Sequence, residues 1–163
     1  MGELVERVDE QDRVLGVVER DEAIRHGWLH RIATTVCRDQ HRRVLVYRRV
    51  EGLSRFPGKY DVMFGGAVGV EESYGVAAAR ELREELGVDA PVRLVCKFLC
   101  RGVISPYWLG VHEAVVSGEI APDPQEIAWH GWLTEPELRD AVQKWHFVPD
   151  GQEAFRHYLS SCA

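Results

Sequence analysis

Apolar and polar positions alternate in short blocks from the first residues onward. "ELVERVD" and "RVLGVVER" flank a polar "EQDR" turn, which predicts a hairpin with Val5, Val8, Val14, Val17 and Val18 as its β-branched residues. Asp21 is placed to cap a short helix through "DEAIRHGWL". "RIATTVCRD" and "RVLVYRR" predict two strands joined by the polar turn "DQHR". The Gly- and Pro-bearing "VEGLSRFPGKYDV" then predicts a surface loop, and "MFGGAVGV" a strand interrupted by paired glycines. Helical spacing returns over 73–86 and stops at Gly87, a residue suited to the left-handed C′ position. "PVRLVCKFLCRG" and "YWLGVHEAVV" are further strands. "LTEPELRDAVQKW" opens a helix with a capping box from Thr134 to Glu137, and "PDGQEAFRHYL" reads as a last helix capped by Asp150. Strands, a helix, more strands and then helices predict an α+β class with a mixed sheet.

Composition narrows the function classes. The 163 residues suffice for one sizeable core, and 45% hydrophobic with 28% charged residues is ordinary for a globular chain. A net charge of −6 argues against a nucleic-acid surface, which needs clustered cations. Any anionic small-molecule substrate must therefore be held by local Arg and Lys or by metal ions. "MGELVERVDEQDR" is not a signal or transit peptide, and Glu6 breaks the myristoylation pattern that Gly2 would begin. No apolar run approaches a membrane span. Cys37, Cys96, Cys100 and Cys162 lack zinc-site spacing and are expected as free thiols in a reducing cytoplasm.

"AARELREELGV" is the stretch that composition does not explain. With Glu81 at 0° and about 100° per residue, Glu84 falls at about −60° and Glu85 at about +40°, one narrow arc. Like charges at these spacings repel by roughly 0.2–0.5 kcal/mol per pair. Gly75, Ala79, Leu82 and Leu86 form the apolar stripe expected to pack on the sheet, and Arg80 lies at the rim of the acidic arc. A solvated acidic face is one reading. The other is a divalent cation among the carboxylates, since few hard oxygens with room for water are what Mg²⁺ takes beside substrate phosphates.

From Gly66 the chain reads "GAVGVEESYGVAAARELREELGV", which matches G-x5-E-x7-R-E-U-x-E-E-x-G-U at Gly66, Glu72, Arg80, Glu81, Leu82, Glu84, Glu85, Gly87 and Val88. That is the Nudix box, and the chain resembles the Nudix hydrolases. The resemblance implies an α/β/α sandwich, a mixed β-sheet between helices, over residues 29–160, with residues 1–28 as an N-terminal hairpin and short helix packed on it. It implies Mg²⁺ or Mn²⁺ on the acidic arc and attack of water on a diphosphate joined to another group. Glu81 and Glu85 are then the expected direct ligands, the Gly66 carbonyl a further one, and Glu84 a ligand or the general base. Arg80 would pair with Glu72 and orient the carboxylates. Glu126, in "DPQEIAWH", stands where some members recruit a loop glutamate as base or extra ligand, and "EIAWHGWLTEPEL" resembles the segment where many place a Trp before a helix-starting Thr. Many members also have Pro where this chain has Phe64, which bears on loop shape.

Around the box, Arg48, Arg49, Arg55 and Lys59 are candidates for holding phosphate. Phe56, Tyr60, Tyr107 and Trp108 are candidates for stacking on a base, against the alternative of core packing. His26, His30, His112 and His130 show no metal-ligand spacing and read as surface or satisfied core residues. The expected substrate is a nucleoside di- or triphosphate or a nucleoside diphosphate derivative, and a homodimer is left open. Two alternatives compete with it. "LHRIAT", "RVLVYRR" and "FPGKYD" also resemble type I isopentenyl-diphosphate isomerases, but Gly65, Gly66 and Ala67 stand where those have Cys-Gly-His. A non-catalytic nucleotide sensor of the same fold would commonly have lost box glutamates, and all are kept here.

Overall fold

The computed structural model describes residues 2–162. Strands β1 (Leu4–Val8) and β2 (Val14–Glu19) form the antiparallel N-terminal hairpin, followed by helix α1 (Arg20–His26). β3 (Arg31–Arg38), β4 (Val44–Arg49), β5 (Tyr60–Asp61) and β6 (Phe64–Ala67) precede helix α2 (Tyr74–Leu86). Then come β7 (Arg93–Cys100), β8 (Tyr107–Val115), β9 (Ile127–Leu133), α3 (Glu135–Lys144) and α4 (Pro149–Cys162). β3 to β9 make one mixed sheet: β3 runs parallel to β8 and antiparallel to β6, β7 lies beyond β8, and β4 pairs with β9 and β5.

Helices cover both faces. Leu82 and Leu86 of α2 pack with Leu45, Tyr47 and Phe64 on one face. Leu138 and Ala141 of α3, with Ala154 and Tyr158 of α4, pack with Val36, Val46 and Val111 on the other. The α/β/α sandwich with a mixed sheet is therefore present. Burial of these aliphatic side chains, each contributing about 1.5–3 kcal/mol, is what holds the layers together.

Several local expectations need correction. Asp21 does not cap α1: the chain turns straight from β2 into the helix, so Glu19 takes the cap position without a side-chain bond and Asp21 lies in the first turn. Asp150 likewise falls inside the first turn of α4, and its carboxylate instead accepts from Val103 N (3.1 Å) and Tyr107 Oη (2.6 Å). "IAWHGWL" forms a full strand, β9, paired along β4, where the sequence reading placed none. The 50–62 loop contains the two-residue β5. Thr134 and Glu137 do form the capping box.

The roll of α2 also differs. Ala77, Ala78, Leu82 and Leu86 are its buried positions, whereas Gly75 and Ala79 are only half-buried. Ala78 lies at about 60° and Leu82 at about 100° from Glu81. The buried arc is thus centred close to Glu85, and part of the acidic face points at the sheet.

The N-terminal hairpin is bound to the sandwich through buried charge. Asp12 accepts from Arg31 Nε (2.7 Å), Lys97 Nζ (2.7 Å) and Tyr74 Oη (2.8 Å), and Glu6 from Arg31 (3.2 Å). Val8 N donates to the Leu29 carbonyl at 2.9 Å.

Candidate active site

Two glycines bring β6 against its neighbours. Gly65 pairs with Thr34 of β3, and a side chain there would run into the Ala33 backbone. At Gly66 a Cβ would lie 2.6 Å from Glu81 Oε1, so the missing side chain is what lets this carboxylate reach the β6 backbone.

Arg80 ties the box together. Its Nε and one terminal nitrogen bond both oxygens of Glu72 (2.9 Å each), and the other terminal nitrogen bonds Glu81 Oε1 (2.9 Å). The guanidinium also reaches the Ala67 carbonyl (3.2 Å) and Glu84 (3.4 Å). Such a planar, bidentate fork fixes direction as well as distance. Glu72 additionally accepts from Gly69 N at 2.8 Å. Bonding to Arg80 holds its carboxyl below the usual range.

The three box glutamates separate by environment. The Glu84 side chain is 57% exposed and that of Glu81 13%. Glu85 lines a cavity, and its Oε2 is buried without a hydrogen-bond partner among the described residues. Burial, reinforced by the charges of Glu81 and Glu126, raises the Glu85 carboxyl well above its ordinary pKa. Burial also raises that of Glu81, against the opposing pull of Arg80.

A divalent cation fits what is present: a buried carboxylate oxygen with no donor, a second carboxylate beside it, and a backbone strand brought close by a glycine. Among the described residues no three His, Cys, Asp or Glu side chains converge on one point. The set on offer is open and made of oxygens only, suited to an ion that keeps waters or substrate oxygens.

The cavity has a volume of about 260 Å³. Glu85, Glu126 and the Gly66 backbone line it, as do Arg49 and Arg55 of the phosphate candidates and Phe56 and Tyr107 of the aromatic ones. Arg48, Lys59, Tyr60 and Trp108 are not brought there. Arg48 reaches Glu51 (3.6 Å), and Lys59 offers its carbonyl to Arg49 N (2.8 Å). Tyr60 packs against Trp129, Trp145 and Phe147, and Trp108 Nε1 donates to the Asp9 carbonyl (3.0 Å). Alternation explains the split: neighbours in an extended strand point to opposite faces, so of Arg48 and Arg49 only one faces the cavity.

Sequence reasoning missed Arg20, His30, Asp61 and Asp150, all of which line the cavity. His30 is buried, as one reading had it, but not satisfied: neither ring nitrogen has a partner among the described residues. No spacing rule marks these positions, because they come from elements far apart in the chain.

A family model for the NUDIX domain matches residues 28–152, most of the chain. The protein belongs to the Nudix family. It is 42% identical to an uncharacterized Nudix hydrolase of Streptomyces coelicolor, over 94% of this chain and 86% of that one. It is 30% identical to a prenyl-diphosphate phosphatase of Methanosarcina mazei, over 86% of this chain and 84% of that protein. Among solved structures, DR0079 from Deinococcus radiodurans superposes with a TM-score of 0.80 at 28% identity, covering 96% of this chain and 99% of the other. The Nudix domain of Shewanella oneidensis NrtR, solved with ADP ribose, shares the fold at a TM-score of 0.64 and 18% identity, covering 82% of this chain and 88% of that one. Nudix hydrolases generally act with divalent metal ions.

Proposed function

We propose that this Nudix protein hydrolyses the diphosphate linkage of an organic diphosphate, with Mg²⁺ or Mn²⁺ held by Glu81, Glu85 and the Gly66 carbonyl. The observation that carries this reading is the buried, unpartnered oxygen of Glu85 beside Glu81, on a helix whose carboxylates Arg80 aims. A bound divalent ion supplies charge neutralisation for the bridging oxygens and lowers the pKa of coordinated water.

The chain's own residues do the rest. Arg80 keeps Glu81 and Glu72 in fixed orientation, so little reorganisation is left for the reaction. Glu126 lines the cavity and its charge acts on Glu85, which supports it as the group that takes the proton from attacking water. Glu84 points away from the cavity toward Arg80 and solvent, which favours Glu126 over it as the base. Arg49 lines the same cavity and offers positive charge to the departing phosphate.

For the organic group, the preferred reading is a nucleoside di- or triphosphate or a nucleoside diphosphate derivative, supported by Phe56 and Tyr107 at the cavity, where a base can stack. A second reading is a prenyl diphosphate. The aliphatic lining from Ile24, Ile32, Ile104, Leu109 and Val148 favours it, as does the relative named prenyl-diphosphate phosphatase. A phosphate-release screen with Mg²⁺ over nucleotides, isoprenoid diphosphates and phosphomonoesters tests both. Nucleotide turnover well above the rest is expected. Isoprenoid diphosphates cleaved far faster would select the second reading, and hydrolysis of monoesters alone would sink the diphosphate proposal.

A further inference from the structure

The cavity has a second polar region that the metal chemistry does not use. Arg20 at the start of α1, His30 just before β3 and Arg55 in the 50–59 loop all line it. The charges of Arg20 and Arg55 act on His30, and that of Arg20 acts on Arg55. The charges acting on Glu85 come instead from Glu81, Glu126 and Arg49. Arg49 is thus the cation felt from both regions, since it also acts on Arg55. Along the sheet, His30 precedes by three residues the Ala33 that pairs with Gly66, about 10 Å at strand spacing.

The carboxylates that meet the two arginines are exposed ones. Among the described residues Arg20 pairs with the half-exposed Glu3, at 3.3 Å, and Arg55 meets the exposed Asp21 at 4.0 Å. Arg20 Nε and both ring nitrogens of His30 are buried with no partner among the described residues. The Trp28 backbone lies close to the imidazole but outside hydrogen-bond geometry. Buried polar groups are nearly always bonded, so an unbonded set aimed into one cavity marks a ligand's place.

We propose that Arg20, His30 and Arg55 form a binding site for a phosphate group of the substrate, remote from the carboxylates, so that helix α1 completes the active-site cavity. Two guanidinium forks and a ring N–H present more donors than a single carboxylate can accept, whereas the peripheral oxygens of a phosphate match them. Burial and the two arginines pull the His30 pKa down to about 4, so the ring acts near neutral pH as an uncharged donor. Arg20 comes from the segment before residue 28, where the family match begins. The inference rests on the proposed hydrolase reading for the substrate's class, and its first test is made without metal.

Inorganic pyrophosphate is titrated calorimetrically into the full chain in EDTA, for the wild type and for Arg20→Gln, His30→Gln, Arg55→Gln and Arg20→Lys. Lys144→Gln, an exposed change on α3, controls for loss of surface charge. Binding by the wild type is expected, with a tenfold or greater loss in Arg20→Gln and Arg55→Gln, a smaller loss in His30→Gln and partial retention in Arg20→Lys. With Mg²⁺ and the best substrate of the screen, Arg20→Gln should raise KM at least tenfold with kcat within a few-fold. Should Arg20→Gln not fold, by its melting curve, Arg55→Gln and His30→Gln decide. Equal pyrophosphate affinity in wild type and folded variants, or no metal-free binding by the wild type, overturns the site. Absence of Mg²⁺-dependent phosphate release from every diphosphate would instead overturn the hydrolase reading.

Discussion

Glu85 has a buried carboxylate oxygen with no hydrogen-bond partner among the described residues, whereas Glu72, eight residues before Arg80, is fully engaged. The contrast assigns the work of Arg80: two of its nitrogens grip Glu72, and the third steers Glu81. Lysine keeps the charge but cannot reproduce that fork. Arg80→Lys should therefore lower kcat by tenfold or more while shifting the melting temperature by only a few degrees, measured side by side. Unchanged kinetics would remove the orienting role. Asp61 carries a pH signature of its own. Burial lifts it to about 7 from an ordinary 3.8, although the Val62 and Met63 amides oppose the shift. A carboxyl raised in the folded state stabilises fully below its unfolded pKa and loses that contribution as pH rises through the folded one. Asp61→Asn, which keeps an acceptor for both amides, should gain melting temperature relative to wild type as pH goes from 5 to 8. A constant difference across that range would mean that Asp61 is ionised throughout.

At the scale of elements, legibility depended on whether the signal was local. Gly66 to Val88 could be read directly, because a fixed spacing carries its own chemistry, and both the Ser73-capped start and the Gly87 stop of α2 lie within it. Its roll could not be read. The stripe of Gly75 and Ala79 follows from apolarity, but Ala77 and Ala78 are the buried pair, and the carboxylates of Glu81 and Glu85 turn inward with them. β9 was hidden for another reason. Its residues from Ala128 to His130 are exposed, so alternation is weak, and it is a strand because β4 offers it a partner. Arg20 and His30 were out of reach for the same cause: only tertiary packing brings them to the cavity that Arg55 also lines. The hairpin's attachment was equally non-local: Asp12 gathers Arg31, Lys97 and Tyr74 from three other elements. Removing one partner of a buried ion cluster strands the others, at about 3–5 kcal/mol. Asp12→Ala should show a loss of that order in urea unfolding, and a loss under 1 kcal/mol would make the cluster incidental to holding the hairpin.

For the whole molecule, the carboxylate face of α2 is a conflict that a bound cation would resolve. The chain carries a net charge of −6 and buries the neighbouring side chains of Glu81 and Glu85 on α2, so without a cation the folded state bears their repulsion and desolvation. A ligand that binds only the folded state stabilises it by RT ln(1 + [L]/Kd). At a hundredfold excess over Kd this is about 2.7 kcal/mol, or on the order of 5–10 °C in melting temperature for a chain of this size. Mg²⁺ should raise the melting temperature of the wild type by that order, and EDTA should reverse it. Glu85→Gln removes both a ligand and a source of repulsion, so its two effects have opposite sign. In EDTA the variant should melt at or above the wild type, yet Mg²⁺ should move it little, and turnover should fall by orders of magnitude. Structural damage alone would lower the melting temperature in EDTA as well, which separates the two explanations in one pair of melts. Should the wild type prove indifferent to Mg²⁺ while Glu85→Gln hydrolyses its substrate at the native rate, the cation must be placed elsewhere in the cavity than on α2.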